Sequence, residues 1–334
     1  MPVLSRIIVP VLLVSTLALA GCSSTGTLTS SLGTPTPTAT IDPAAPVTVD
    51  NCGTPVTFTK APERVITVKS TSTEMLLALG LGDRIVGTAF QDGPVPDKWL
   101  ASAAAIPSIA DKVPSEEVVL EKQPDLVYAG WESTFTPDGA GARDELAALG
   151  VASYVSPSAC QSHNQPKKLG FDNIFGDISE IASIFRVDAA PLIAEQKATL
   201  AKVTSTKPGQ DRTALWYSSG ADTPYVGAGI GAPELVLESV GLKNIAADVN
   251  ATWAPLNWEA IVAADPYYIV LVDATWNTAA KKISLLKSNP ATANLAAVKQ
   301  HRFLTVPFAA SEAGVRTVET VESLAQQIRA LNGP

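Results

Sequence analysis

Two segments of the chain repeat one pattern, and this repeat constrains the fold more than any other sequence feature. Residues 116–127 and 259–270 each combine a helix-like stretch, a break at Pro124 or Pro266, and an apolar strand, and they lie 142 positions apart. Strands and helices alternate around both copies, which predicts parallel, doubly wound sheets. We therefore expect an α/β protein with two similar lobes, each built around one copy.

A single long helix is predicted between the lobes. Asp188 to Val203 has helical periodicity, and Pro191 is tolerated because it lies in the first turn. The predicted organisation has five parts: a signal peptide at 1–21, a disordered Ser/Thr/Pro tether at 22–50, an N-terminal lobe at 51–187, the linker helix at 188–208 and a C-terminal lobe at 209–334.

The N-terminus predicts export and lipidation. Arg6 precedes an uncharged, largely apolar run from Ile7 to Ala20, which is short for a membrane span and typical of a secretory signal. The run ends in Leu19-Ala20-Gly21-Cys22, which resembles the lipobox of bacterial lipoproteins, where the signal is cut before a lipid-carrying Cys. We expect an extracytoplasmic protein held on the outer face of the cell membrane through Cys22. A plain signal peptide with an incidental Cys22 is the alternative.

Cys52 and Cys160 are the thiols that remain once Cys22 is lipidated, because the chain has 3 Cys. In an oxidising compartment the simplest outcome is a disulfide that closes a loop of about a hundred residues. The loop-entropy model assigns such a bridge roughly 4 to 5 kcal/mol of stabilisation. Two free buried thiols are the alternative.

Charge and residue counts exclude several classes of function. The formal charge of -8, without a Lys/Arg cluster, leaves no surface for a nucleic-acid backbone. The 2 His, His163 and His301, are too few for an imidazole-rich metal site, so we predict no metal ion and no cofactor. The chain lacks a Gly-x-Ser-x-Gly elbow and a recognisable nucleophile with its base, so we do not expect an enzyme.

Four segments of the chain carry a family resemblance: Ala61–Ile66, Ser72–Gly87, Gln123–Val127 and Leu237–Ile245. In order and with the family's spacing, they resemble the class III solute-binding proteins of ABC importers, which include cobalamin, siderophore and haem binders. The resemblance covers about residues 56 to 331 and implies two Rossmann-like lobes joined by one long helix, with the ligand in the cleft. It further implies a monomer that delivers a small organic ligand to a permease and its ATPase.

The resemblance also implies one carboxylate on each lobe that docks onto arginines of the membrane subunits. The matching positions are Glu74, on the first helix of the N-terminal lobe, and Glu238, near the end of the first helix of the C-terminal lobe. From residue type alone, Glu74 could equally be a helix-dipole partner and Glu238 a solvated surface residue.

The predicted ligand site lies beyond the carboxyl ends of the strands, where ligands of open α/β sheets bind. Trp131, Tyr217 and Trp276 follow or end such strands, which suits stacking on a flat conjugated ligand. Lys69 and Arg316 could pair with a ligand anion or form surface or interlobe salt bridges. The predicted ligand-binding residues are Lys69, Ser70, Thr71, Phe90, Gln91, Trp131, Tyr217, Ser218, Trp253, Trp276, Ser311 and Arg316. The same loops also carry Asp92, Glu132, Ser156, Ser219, Phe308 and Glu312.

Three further stretches, 127–133, 214–220 and 311–316, look like an actinobacterial subgroup of this family proposed to import a deazaflavin cofactor precursor. A flat tricyclic ring with a phosphate-containing tail would suit the aromatic side chains together with Lys69 and Arg316. The competing ligands are a ferric siderophore, cobalamin and haem. The competing class of function is a surface receptor or scaffold without transport.

Overall fold

The computed structural model describes residues 45–161, 163 and 167–333. The predicted signal peptide, Cys22 and the tether up to residue 44 lie outside the described residues. The tether prediction extends too far, because Val47–Asn51 form a strand that pairs antiparallel with Thr54–Phe58. None of the helices in the described ranges is long and apolar enough to cross a membrane.

The described residues form strands and α-helices in alternation. The strands are β1 (Val47–Asn51), β2 (Thr54–Phe58), β3 (Val65–Val68), β4 (Ile85–Ala89), β5 (Ser108–Ala110), β6 (Leu126–Ala129), β7 (Ala152–Val155), β8 (Thr213–Ser219), β9 (Tyr225–Gly227), β10 (Lys243–Asn244), β11 (Trp253–Pro255), β12 (Tyr268–Asp273) and β13 (Phe303–Pro307). The helices are α1 (Ser70–Ala78), α2 (Leu100–Ala103), α3 (Glu116–Glu121), α4 (Arg143–Ala148), α5 (Phe171–Phe185), α6 (Ala190–Thr204), α7 (Ala232–Ser239), α8 (Trp258–Ala264), α9 (Ala279–Ser288), α10 (Ala296–Lys299), α11 (Phe308–Ser311) and α12 (Thr317–Asn332).

The N-terminal lobe contains a parallel sheet with strand order β5-β4-β3-β6-β7. Its central strands β3 and β6 are buried along their whole length, which explains their continuous apolar sequences. The hairpin β1–β2 is joined to this lobe by a disulfide between Cys52, at its turn, and Cys160, after β7. Asn51 supports the same junction because its Nδ2 donates to the Val155 carbonyl at 2.7 Å.

The C-terminal lobe contains a mixed sheet with strand order β11-β9-β8-β12-β13, and β10 pairs with β8. Strands β8, β10, β12 and β13 run parallel, whereas β9 and β11 form an antiparallel edge. Five of the six residues of β12 are buried.

The two sequence repeats occupy the same place in both lobes. Each forms a short helix, α3 or α8, followed by a strand, β6 or β12, that pairs in parallel with the first parallel strand of its lobe, β3 or β8. Each helix also begins with a side-chain cap, from Ser115 or Asn257. The fold is that of two Rossmann-like lobes, as predicted.

Helix α6 connects the lobes close to the predicted position of the linker helix. It is preceded by α5, which was not predicted and whose residues Ile174, Ile178 and Ile181 are buried in the core of the N-terminal lobe. Helix α12, at the end of the C-terminal lobe, packs on the linker helix α6 and on α7.

Candidate functional site

A cavity of about 420 Å³ lies between the lobes. Its walls come from loops at the carboxyl ends of β3, β6, β7, β8, β12 and β13. The parallel strands of both lobes therefore direct their carboxyl ends at one cleft. The volume lies toward the lower end of the range of about 300 to 1,000 Å³ typical of drug-sized ligands. Six predicted ligand-binding residues lie on its walls: Thr71, Trp131, Ser218, Trp253, Trp276 and Ser311.

Aromatic side chains line the cleft on both lobes. Tyr225 and Trp253 stack with their ring planes 13° apart and their centroids 6.4 Å apart. Trp276 meets the ring of Phe308 edge-on at 5.8 Å and is 57% exposed, although it is a large apolar side chain. Trp131 faces the cavity from the N-terminal lobe. Such surfaces suit stacking on a flat, conjugated ligand.

Hydroxyl groups supply most of the polar wall. Two of them are already engaged, because Ser158 Oγ donates to Asp177 at 2.6 Å and Ser311 Oγ donates to the Phe308 carbonyl at 2.7 Å. The remaining groups can contact a ligand directly. The hydroxyl residues on the wall are Thr71, Ser133, Ser158, Ser218, Ser219, Thr252 and Ser311.

Lys69 is not placed to bind a ligand anion, contrary to the sequence-based prediction. Its side chain is 2% exposed and forms an ion pair with Asp92. Its Nζ lies 4.3 Å from the ring centroid of Phe90, 3.9 Å from that of Trp131 and 5.0 Å from that of Phe308. Burial raises the pKa of Asp92, and the ammonium of Lys69 opposes this shift. Lys69 therefore lies buried against these aromatic rings and stabilises them through cation–π contacts.

Arg316 is also committed to protein carboxylates. Its Nη1 lies 3.3 Å from Glu74 Oε1 and its Nη2 lies 3.1 Å from Glu319 Oε1, while Lys98 Nζ reaches the other oxygen of Glu319 at 2.7 Å. These pairs join the N-terminal lobe to the start of α12. The predicted alternative of an interlobe salt bridge is the arrangement that the structure shows.

Glu74 is not accessible for the predicted contact with a permease. Its side chain is 2% exposed and faces Arg316, and burial raises its pKa from 4.5 to about 7. Glu238 does lie on the surface, with a side chain that is 49% exposed. Its Oε1 is 2.6 Å from Lys168 Nζ, which also lies 3.4 Å from Glu234 Oε1. Glu238 is thus exposed and paired with a neighbouring cation.

Four other predicted ligand-binding residues lie away from the cavity wall. Tyr217 is 1% exposed, packs against Trp258 and donates to the Gly220 carbonyl at 2.6 Å. Successive strand residues point to opposite faces of the sheet, and Tyr217 belongs to the core. The other three make local contacts: Ser70 Oγ accepts from Asp92 N–H, Gln91 Nε2 donates to the Ala89 carbonyl, and Phe90 packs edge-on against Trp131.

Tyr225, Phe308 and Glu312 are among the cleft residues that were not singled out from the sequence. Phe308 begins α11 and Glu312 directly follows it, in a stretch that the sequence places at the cleft, but nothing in their residue types distinguishes them there. Tyr225 lies on β9, a three-residue strand that has no clear sequence signal. Glu312 lies close to Trp131, and burial raises its pKa from 4.5 to about 7; the ammonium of Lys69 opposes this shift and the carboxylate of Asp92 adds to it.

The described residues contain no group of three or more His, Cys, Asp or Glu side chains that could hold a metal ion. His163 and His301 are both exposed.

A family model described as "Periplasmic binding protein" matches residues 65–310. The uncharacterized ABC transporter substrate-binding lipoprotein YvrC of Bacillus subtilis (strain 168) is 27% identical over 292 residues, covering 85% of each chain. A vitamin B12-binding protein of Yersinia pestis (strain Pestoides F) is 28% identical over 219 residues, covering 64% of this chain and 70% of its own. An ABC-type Fe3+-hydroxamate transport system structure from Saccharomonospora viridis DSM 43017 superimposes with a TM-score of 0.72 at 28% identity, covering 84% of this chain and 98% of that chain.

Proposed function

Because the chain belongs to the periplasmic binding protein family, we propose that it is the solute-binding component of an ABC importer. It captures a small organic ligand in the interlobe cleft and delivers that ligand to a permease and its ATPase. The name of the Bacillus subtilis relative, which matches over 85% of both chains, supports this role. The protein acts by binding and release, without catalysis.

The ligand is a flat, conjugated molecule, for which a deazaflavin cofactor precursor is the preferred candidate. The observation that carries this proposal is the aromatic lining contributed by both lobes, with Trp131 on one side and Tyr225, Trp253, Trp276 and Phe308 on the other. A tricyclic ring can stack on such side chains. The volume of about 420 Å³ suits a ligand of a few fused rings.

Cobalamin and a ferric siderophore are the second candidates, with haem as a third. The names of the Yersinia pestis relative and the Saccharomonospora viridis structure favour the first two. The cavity volume argues against enclosing a whole corrinoid, which would have to protrude from the cleft.

Glu117 and Glu259 replace Glu74 and Glu238 as the proposed docking carboxylates. Each is the second residue of its helix, two positions after the capping Ser115 or Asn257. The two glutamates lie 142 positions apart, as the repeats do. Both side chains are exposed, and neither forms an ion pair with another described residue. They therefore present one carboxylate at the same place on each lobe, which suits pairing with arginines of a two-part membrane domain.

The proposed location is the outer face of the cell membrane, with Cys22 as the lipid-carrying residue. The name "lipoprotein" of the Bacillus subtilis relative supports this anchor. Two signals are usually needed for stable anchoring by short chains, so more than one acyl chain on Cys22 is expected.

Uptake measurements test the proposed function. A strain without this chain, complemented with the wild-type protein, should accumulate labelled deazaflavin precursor, and the Glu117→Ala, Glu259→Ala double variant should abolish accumulation while its affinity for the ligand stays unchanged. The matched control is Glu322→Ala, an exposed carboxylate of α12, which should support normal uptake. Uptake that does not depend on this chain would favour a surface receptor without transport. Normal uptake by the double variant would refute the docking assignment.

A further inference from the structure

We infer that Glu312 determines which charge the ligand can carry inside the cleft. The cleft accepts a flat molecule whose polar end is uncharged or cationic and offers a hydrogen-bond donor, and it discriminates against a phosphate or carboxylate at that end. This inference rests on the proposed function and assigns a chemical class to its ligand.

The first observation is the distribution of charge on the cavity wall. Among the described residues that line the cavity, Glu312 is the only one with an acidic or basic side chain. The other polar groups there are hydroxyls, amides and indoles, which bind donors and acceptors without neutralising a charge. A ligand anion would therefore meet no cation among the described residues of the wall.

The second observation concerns Lys69 and Arg316, the two cations that the sequence places at the cleft. Lys69 is enclosed by three aromatic rings and paired with Asp92, and Arg316 lies between Glu74 and Glu319. Taking either cation for a ligand would leave a buried carboxylate, Asp92 or Glu74, without its compensating charge, which is strongly unfavourable. Neither cation is thus available to a bound phosphate.

The third observation is the position of Glu312 itself. It directly follows α11 on the cavity wall, close to Trp131, and its carboxyl shares the environment of the Lys69–Asp92 pair. In either protonation state its oxygens can accept a hydrogen bond from an imide, amide or hydroxyl group of a ligand that stacks on these rings. A second anion at this place would lose its hydration and meet a carboxyl, and both effects disfavour it.

The charge on the cavity wall decides whether a deazaflavin ligand can carry a phosphate on its tail. Its ring and a hydroxylated tail match the aromatic and hydroxyl-rich walls, whereas a terminal phosphate does not. The form expected in the cleft is therefore the unphosphorylated one.

A matched pair of probes tests this assignment on the purified wild-type protein. The probes are a deazaflavin with an unphosphorylated, hydroxylated tail and the same molecule with a phosphate at the end of that tail, each titrated by calorimetry. We expect the wild-type protein to bind the unphosphorylated probe at least about tenfold more tightly, which corresponds to about 1.4 kcal/mol. Glu312→Gln should shrink this ratio and Glu312→Lys should reverse it, while the distant control Glu322→Gln should leave it unchanged.

The possible results distinguish the role of Glu312 from the proposed deazaflavin ligand. Equal or tighter binding of the phosphorylated probe by the wild-type protein overturns the role of Glu312 and leaves the proposed function standing. A ratio that persists in Glu312→Gln also overturns it, provided that thermal melting shows a folded variant. Absence of binding of both probes by the wild-type protein overturns the proposed deazaflavin ligand together with this inference.

Discussion

Arg316 and Glu74 form a buried ion pair across 242 positions of sequence, and this pair joins the two lobes beside the cleft. Glu319 and Lys98 extend it into a chain of four alternating charges that ends at the surface. Because this row of charges connects the N-terminal lobe with α12, it restrains the lobes from separating there.

The buried Glu74 predicts a pH-dependent stability. Its pKa is raised from 4.5 to about 7, so the folded protein binds this proton more tightly than the unfolded chain. The stabilisation is complete below about pH 4.5 and is lost as the pH rises through about 7. Glu74→Gln mimics the protonated form. The difference in the free energy of unfolding between this variant and wild type should therefore change by as much as about 3 kcal/mol between pH 4.5 and 8, in favour of the variant. Urea denaturation at both pH values measures this, and an unchanged difference would contradict it.

Two other carboxyl groups titrate in the same range, because burial also raises the pKa values of Asp177 and Glu312 to about 7. Both are present in wild type and in Glu74→Gln, so their effects cancel in the comparison. Glu322→Gln provides the surface control and should follow the wild-type profile.

The Lys69–Asp92 pair predicts a large stability loss when its cation is removed. Lys69→Met keeps the aliphatic stem but leaves Asp92 buried without a cation, so we expect a loss of about 3 to 5 kcal/mol in the free energy of unfolding. Adding Asp92→Asn should recover part of it. Lys98→Met, which breaks the exposed pair with Glu319, is the control and should cost less than about 1 kcal/mol. Equal losses in the two lysine variants would contradict the buried role.

The Cys52–Cys160 bridge predicts that Cys52→Ser or Cys160→Ser lowers stability by roughly 4 to 5 kcal/mol, since it closes a loop of 108 residues. Denaturant titration with and without reductant checks this value. Reductant should not affect the serine variants. Two reactive thiols in the denatured wild-type protein without reductant would show that the bridge is absent.

The aromatic cleft predicts which substitutions weaken ligand binding. Trp253→Ala removes the ring that stacks on Tyr225, and Trp276→Ala removes the exposed ring beside Phe308, so each should raise Kd about tenfold. Tyr217→Phe is the matched control, because Tyr217 lies in the core and only its hydroxyl is removed. An equal effect of Tyr217→Phe would contradict the assignment of the wall.

The fold was largely predictable because its signal is local and repeated. The breaks at Pro124 and Pro266 each separate a helix from a buried strand, and both copies occupy equivalent places in the structure. Helix α5 was missed because Gly176 and the polar first turn weaken its helix propensity, whereas burial of Ile174 and Ile178 stabilises it. The strand at Val47–Asn51 depends on pairing with β2, which its own residues do not announce.

The site was less predictable because its charges are satisfied by distant partners. The sequence places Lys69 and Arg316 at the cleft, but Asp92 lies 23 positions from Lys69 and Glu74 lies 242 positions from Arg316. Only the three-dimensional structure shows that these side chains pair with each other. Tyr217 likewise ends its strand as predicted, yet its side chain points to the core and Ser218 reaches the wall.

Calorimetric titration of the purified protein with the deazaflavin precursor tests the central claim most directly. We expect one binding site per chain, with an affinity that Trp253→Ala reduces and that Tyr217→Phe leaves unchanged. No measurable binding of the deazaflavin precursor, or binding that is indifferent to Trp253→Ala, would contradict it.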